Sequence, residues 1–275
     1  MTRVFNTPTT DIPMHDAAPV ALTIAGSDPS GGAGLQADLK TFHTLGVYGS
    51  SVVTLLTAQN TQGVQGIQMV PVDFVRAQWT SVSSDLPLAV IKTGALGDSE
   101  MIRVVADCLD ASACPTVIDP VMISKHGHAI IDDNAVDTLI SCLLPLADLV
   151  TPNAFEAERL AGQSIRNEDD LAISAVRLLE MGPRAVLIKA HLDEESVDCL
   201  ADDTGVQLLR SPRLKSNRTH GSGCVLSAAI TAGLAKGDRL NDAVKFARSF
   251  VQNAIHTAPE LGKGISPVGL VNQSP

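Results

Sequence analysis

From Val20 onward the chain alternates short runs of β-branched and aliphatic residues with longer stretches whose apolar positions recur every three or four residues. The short runs predict strands and the longer period predicts helices with one buried face. Val20–Ala25 is the first strand. Gly34–Leu45 follows as a helix, with Leu35, Leu39, Phe42 and Leu45 on one face, and Val47–Thr57 returns as a strand. The same pattern predicts further strands at Ala89–Thr93, Thr116–Asp119, Asp148–Thr151, Ala185–Lys189, Val197–Ala201 and Gln207–Leu209. Helices are predicted over Val72–Ser84, Ser99–Leu109, Asn134–Leu144, Ala154–Leu160, Glu168–Met181, Cys224–Ala235 and Leu240–His256. Such alternation implies an α/β fold with a parallel sheet wrapped by helices. Its 275 residues suffice for one large domain, and no linker, repeat or low-complexity tract interrupts it. Residues 1–18, with Pro8 and Pro13 among Thr, Asp and Asn, read as a flexible extension ahead of a single domain over 19–270.

In sheets of this kind ligands bind at the loops leaving the carboxyl ends of strands. The polar residues there are Gly26-Ser27-Asp28, Gln59-Asn60, Lys92-Thr93-Gly94, Asp119-Pro120, Thr151-Pro152-Asn153 and Lys189. A further segment is the most informative: Thr219-His220-Gly221-Ser222-Gly223-Cys224-Val225, running straight into the small apolar residues Leu226–Leu234. It reads as a glycine-bracketed turn opening a buried helix, whose free N–H groups and dipole make an anion site. Cys224 in the first turn is expected to lose its proton more readily than an ordinary thiol, at about 8.5, because the dipole favours thiolate. The alternative is a small buried hydrophobe.

Gly32-Ala33-Gly34-Leu35-Gln36-Ala37 matches the dinucleotide pattern, but the second strand ends in Thr57-Ala58-Gln59 without the acidic residue that would meet a ribose. What survives is close backbone approach to a ligand, with Asp38 one turn into the helix able to project toward it or to stand solvated. No P-loop is present, since Gly262-Lys263 is followed by Gly264. Asn153 and Glu156, one turn apart, form a candidate Mg²⁺ shell or a simple helix cap. His126 and His128 flank a glycine without a third ligand nearby in sequence. His220 with Cys224 suggests a cysteine hydrolase, yet the sequence supplies no third group to hold the base.

A net charge of −10 argues against a general nucleic-acid or anionic-membrane surface, and one Trp, one Tyr and six Phe leave little for base stacking. Five cysteines without a C-x-x-C pair fit a reducing cytoplasm. No apolar run reaches the about 18 residues of a bilayer span, and Asp11 and Asp16 make a poor signal peptide.

Taken in order, several segments resemble one family. They are Gly26-Ser27-Asp28-Pro29-Ser30-Gly31-Gly32-Ala33-Gly34 with Gln36-Ala37-Asp38, Ala58-Gln59-Asn60-Thr61, Asp119-Pro120-Val121-Met122, Thr151-Pro152-Asn153 with Glu156, the Thr219–Cys224 segment, and Gly262-Lys263-Gly264. The family is the hydroxymethylpyrimidine/phosphomethylpyrimidine kinases of thiamine synthesis, within the ribokinase superfamily. The resemblance implies a ribokinase-like three-layer fold, mostly parallel in its sheet and without an elaborate lid. It also implies an ATP- and Mg²⁺-dependent enzyme that phosphorylates 4-amino-5-hydroxymethyl-2-methylpyrimidine and then its monophosphate. By the same resemblance Gly26, Ala33, Asp38, Gln59 and Val121 line the pyrimidine pocket and Cys224 holds the base position. Gly221, Ser222 and Gly223 form the anion hole, Asn153, Lys189, Thr219, Gly221 and Gly223 meet ATP, and Asp119 and Glu156 serve the metal. A homodimer is implied, and a pyridoxal kinase or dual-specificity enzyme is the alternative. The chain departs from the family pattern at Lys189-Ala190-His191, at Gly94-Ala95-Leu96, where a Met is common, and at Gly264-Ile265-Ser266-Pro267.

Overall fold

The computed structural model describes residues 18–123, 127, 130, 131 and 133–270. The extension expected over the first residues, apart from Pro19's neighbour at position 18, lies outside the described residues, as do His126 and His128. In chain order the elements are β1 (Val20–Ser27), α1 (Gly34–Thr44), β2 (Tyr48–Asn60), β3 (Gly63–Met69), α2 (Val72–Ser83), β4 (Leu88–Thr93), α3 (Ser99–Asp110), β5 (Thr116–Ile118), α4 (Asp133–Thr138), β6 (Leu149–Val150), α5 (Ala154–Ala161), α6 (Glu168–Leu179), β7 (Val186–Leu192), β8 (Glu195–Asp202), β9 (Gly205–Pro212), α7 (Ser222–Ala235) and α8 (Leu240–His256).

All nine strands join one sheet in the order β3-β2-β1-β4-β5-β6-β7-β8-β9. From β2 to β7 the neighbours run parallel, while β3, β8 and β9 are added antiparallel at the edges. Alternate residues of the central strands face opposite layers. Ile91, Ile118 and Val150 pack with Met101, Val105, Leu139 and Leu171 on the side of α3 to α6. Val90, Val117 and Leu149 pack with Leu226, Ile230 and Val244 on the side of α7 and α8. The result is the expected ribokinase-like three-layer arrangement.

Two elements depart from the periodicity. The pattern over Gly63–Met69 mixes glutamine and glycine with apolar residues and predicts no strand, yet β3 pairs with β2 from Asn60↔Gly63 to Leu55↔Met69. β3 is the edge strand of the sheet, and most of its side chains are exposed or half-exposed and carry no apolar signature. The helix predicted over Asn134–Leu144 is helical only to Thr138, continuing as a wider π turn at Leu139–Leu143 and a tight turn at Leu144–Leu146. Pro145 explains the break, because its ring crowds the carbonyl four residues earlier and it has no N–H to give.

α7 is the most enclosed helix, buried from Val225 to Gly233. Its small residues let neighbours close in: a Cβ on Gly233 would stand 2.9 Å from that of Ala243 on α8. The loops after β1, β4, β5 and β6 open into one cleft, which Lys189 to His191 of β7 and the start of α7 also line.

Candidate active site

The cleft has a volume of about 650 Å³. One part is walled by Gly26, Ala33, Gln59, Ala95 and Val121, and the other by Leu214, Val251 and Ile255 near β9 and α8. Between them lie Asp119, Asn153, Glu156, Lys189, Thr219 and the first turn of α7 from Gly221 to Cys224.

The phosphate cradle follows from backbone conformation. Gly221 caps α7 with φ of 78°, a left-handed value that favours glycine, and no side chain caps the helix. A Cβ there would stand 1.8 Å from the Gly32 carbonyl oxygen, so the cradle also fits tightly against the glycine loop after β1. Lys189 stands beside it, its Nζ 3.5 Å from where a Cβ on Gly223 would lie and 3.3 Å from Asp119 Oδ1.

Asp28, which sequence reasoning left without a role, organises the glycine loop. Its carboxylate accepts from Ser30 N at 2.9 Å, from Ala33 N at 2.8 Å and from His220 Nε2 at 2.8 Å. Burial works to raise its pKa, but the bonds from His220 and Ser30 hold it below the ordinary carboxylate value. The third group that a His220-based reading lacked in sequence is therefore present, and it ties His220 to the loop after β1. Gln59 Nε2 lies 3.4 Å from the same His220 nitrogen, while Gln59 Oε1 faces Thr57 Oγ1 at 3.2 Å.

Two expectations change. Asp38 does not line the cleft: it is fully buried beneath it, with Oδ2 accepting from Thr23 Oγ1 at 2.7 Å and from Lys92 Nζ at 2.9 Å. Its place one turn into α1 turns it toward the sheet, and Lys92 reaches the cleft instead. Cys224 does not have a depressed pKa. Burial pushes its thiol up to about 12, outweighing Lys92, with Asp38 and Asp119 adding to the rise and the Gly34 N–H working against it.

For Asn153 and Glu156 the cap, one of the two readings the sequence offered, is present: they form a capping box at the start of α5, and both line the cleft. Glu156 N donates to Asn153 Oδ1 at 3.0 Å and Asn153 N donates to Glu156 Oε2 at 2.9 Å. Asn153 thus serves the cap, while Glu156 still faces the cleft. Burial, reinforced by Asp119 and opposed by Lys189, pushes Glu156 up to about 7. Among the described residues no group of three His, Cys, Asp or Glu is arranged to hold a metal. Asp119 and Glu156 alone give two hard oxygen donors, close enough that Asp119 adds to the cost of ionising Glu156, a charge that a dication would offset. That donor set fits Mg²⁺ taking its remaining ligands from water and phosphate.

Lys92, singled out in the sequence only as a strand-end residue without a role, and the Arg248–Asp198 pair, which the sequence did not show, complete the site. Arg248 Nε lies 2.7 Å from Asp198 Oδ2 and its Nη2 donates to Leu209 O at 2.8 Å, fastening α8 to β8 and β9 where the cleft ends. A lysine inside the apolar strand Ala89-Val90-Ile91-Lys92 was the available signal for the first; the second joins residues 50 positions apart and left none. Ser266, one of the departures from the family pattern noted in the sequence, closes the tail on itself by donating to Leu261 O at 2.9 Å and accepting from Leu261 N at 3.0 Å.

Among curated proteins, the hydroxymethylpyrimidine/phosphomethylpyrimidine kinase of Streptomyces coelicolor is 46% identical over 91% of this chain and 93% of its own length. That of Rhizobium meliloti is 44% identical over 90% and 96%. Among solved structures, an ADP complex of Bacillus subtilis pyridoxal kinase superposes with a TM-score of 0.86 at 35% identity, covering 92% of this chain and 97% of that one. Phosphomethylpyrimidine kinase from Clostridium difficile superposes with a TM-score of 0.77 at 40% identity, covering 86% and 99%. No helix among the described residues is long and apolar enough to cross a membrane. The phosphomethylpyrimidine kinase family matches over residues 28–269, and with that span, those relatives and this cleft the chain belongs to the phosphomethylpyrimidine kinase family.

Proposed function

We propose that this chain transfers the γ-phosphoryl group of ATP to the hydroxymethyl group of 4-amino-5-hydroxymethyl-2-methylpyrimidine, and then to the resulting monophosphate, in thiamine biosynthesis. The observation that carries this reading is the single cleft in which a ring-sized pocket and an uncapped helix N-terminus meet at Cys224. Phosphoryl transfer asks a protein mainly to align reactants and stabilise charge on phosphoryl oxygens, and free N–H groups and a lysine do both. Gly221, Ser222 and Gly223 hold the transferring phosphoryl group, with Lys189 and Thr219 beside it. Gln59 presents an amide donor and acceptor to the aminopyrimidine edge, packed between Gly26, Ala33 and Val121.

Asp119 and Glu156 would hold Mg²⁺, which when bound would supply charge neutralisation for the triphosphate. Cys224 accepts the alcohol proton. Because its thiol is neutral in the empty cleft, that role requires the S–H proton to leave first, and activity rises with pH. A homodimer in the cytoplasm completes the reading, supported by the open β3 edge of the sheet and by exposed Leu56 and Phe74 on β2 and α2.

Pyridoxal is the competing acceptor. It is favoured by Ala95, a small residue in the pocket wall at one of the departures from the family resemblance, and by the likeness to pyridoxal kinases. ADP release measured with each acceptor, with and without Mg²⁺, decides: a higher kcat/KM for pyridoxal overturns the pyrimidine assignment, and undiminished release in the presence of a chelator overturns the metal.

A further inference from the structure

Lys92 has no exposed surface, yet it lines the cleft. Its Nζ lies 2.9 Å from Asp38 Oδ2 and 3.4 Å from where a Cβ on Gly94 would stand, so the missing side chain at Gly94 leaves space beside the ammonium. Thr23 Oγ1 donates to the same Oδ2 at 2.7 Å, and the second oxygen of Asp38, Oδ1, is buried without a hydrogen-bond partner. An ammonium has three donors, and Asp38 takes one. A buried ion pair is weak evidence for stability, since apolar residues of similar volume often serve as well. The roles assigned above use neither charge.

Cys224 lines the same cleft, in the first turn of α7, which packs on β4. Its sulfur accepts from the Gly34 N–H at the start of α1, so it faces the N-termini of two helices. The charged groups around it are Lys92 from β4, Asp38 from α1, Asp119 after β5 and Lys189 from β7. Lys92 favours an anion on the sulfur, and Asp38 and Asp119 oppose it.

We propose that Lys92 is a positioning residue for the phosphoryl transfer, its ammonium aimed into the cleft by Asp38 as the counter-cation of the Cys224 sulfur. The catalytic consequence rests on the kinase reading. The S–H proton leaves to water before the alcohol is engaged; the sulfur then takes the alcohol proton as the new O–P bond forms. The bond from the γ-phosphorus to the bridging oxygen breaks, and its electron pair leaves with ADP. The charge relation itself is readable without substrate.

The test is alkylation of Cys224 by iodoacetamide in the full chain without nucleotide, from about pH 7 to about pH 10, followed by mass spectrometry of the Cys224 peptide. K92M is expected to slow alkylation by about tenfold or more and D38N to speed it by a similar factor, because opposite and like charges act with opposite sign on a neighbouring thiolate. The double variant K92M/D38N falls between them. Damage to packing would expose the thiol and speed both single variants, so two shifts of the same sign, or none beyond about twofold, overturn the proposal. Should K92M fail to fold, K92M/D38N must still react more slowly than D38N, and equal or faster reaction overturns it. A wild-type chain that releases no ADP would refute the kinase reading while leaving the alkylation order untouched.

Discussion

Glu156 offers a quantitative test of the charge balance in the cleft. Its carboxyl is pushed from 4.5 up to about 7 by burial and by Asp119. Each tenfold change in proton affinity is worth about 1.4 kcal/mol, so the whole displacement corresponds to about 3 kcal/mol. The folded-state value lies above the unfolded one, so the folded chain binds the extra proton between them. The associated stability is fully present below about pH 4.5 and lost as pH rises through about 7. Replacing the residue, E156Q, removes the ionising group but keeps an acceptor for Asn153 N, since glutamine also closes a capping box. The stability of E156Q relative to wild type should therefore improve by about 2 to 3 kcal/mol between about pH 5 and about pH 8. For a domain of this size that is about 5 °C or more in Tm. Urea unfolding of both proteins at the two pH values, without nucleotide or metal, measures it. An unchanged difference between the variants at the two pH values would refute the inference that Glu156 is ionised against its surroundings.

Other expectations follow from the same geometry. C224A should lower kcat by about 10² to 10⁴, the usual worth of a positioned acid or base, with steady-state ADP release as the readout; unchanged turnover would make the thiol mere packing. Wild-type turnover should climb through the alkaline range, because burial pushes the thiol up to about 12, and a flat profile from about pH 7 to about pH 9 would show that no free thiolate is needed. G221A forces a side chain into left-handed backbone and onto the Gly32 carbonyl; a stability loss of about 1 kcal/mol or more and loss of ADP release are expected, and wild-type kinetics would refute the cradle. N153A should cost about 1 kcal/mol by removing the α5 cap, measured by urea unfolding at one pH.

Much of the site was legible in sequence because glycines and polar residues at strand ends have few structural uses. Gly26, Gln59, Asp119, Lys189 and Gly221 to Cys224 all reach the cleft. Asp38 was misread because helical phase alone does not say whether a residue one turn in points to solvent, ligand or sheet. Cys224 was misread in its electrostatics because the helix dipole is local and visible in sequence, whereas desolvation depends on everything packed around the sulfur.

The sequence by itself determined the alternation of strands and helices, the glycine turn before α7, the absence of a P-loop and the family resemblance, since each is written in contiguous residues. Tertiary structure alone decided that Lys92 pairs with Asp38, that Asp28 holds His220, that Arg248 ties α8 to β8, and that Glu156 resists ionisation. These are contacts between residues 50 or more positions apart or effects of burial. 

Charge and solvation at such a site are set by neighbours that only the folded chain brings within a few ångströms, so no local pattern can encode them.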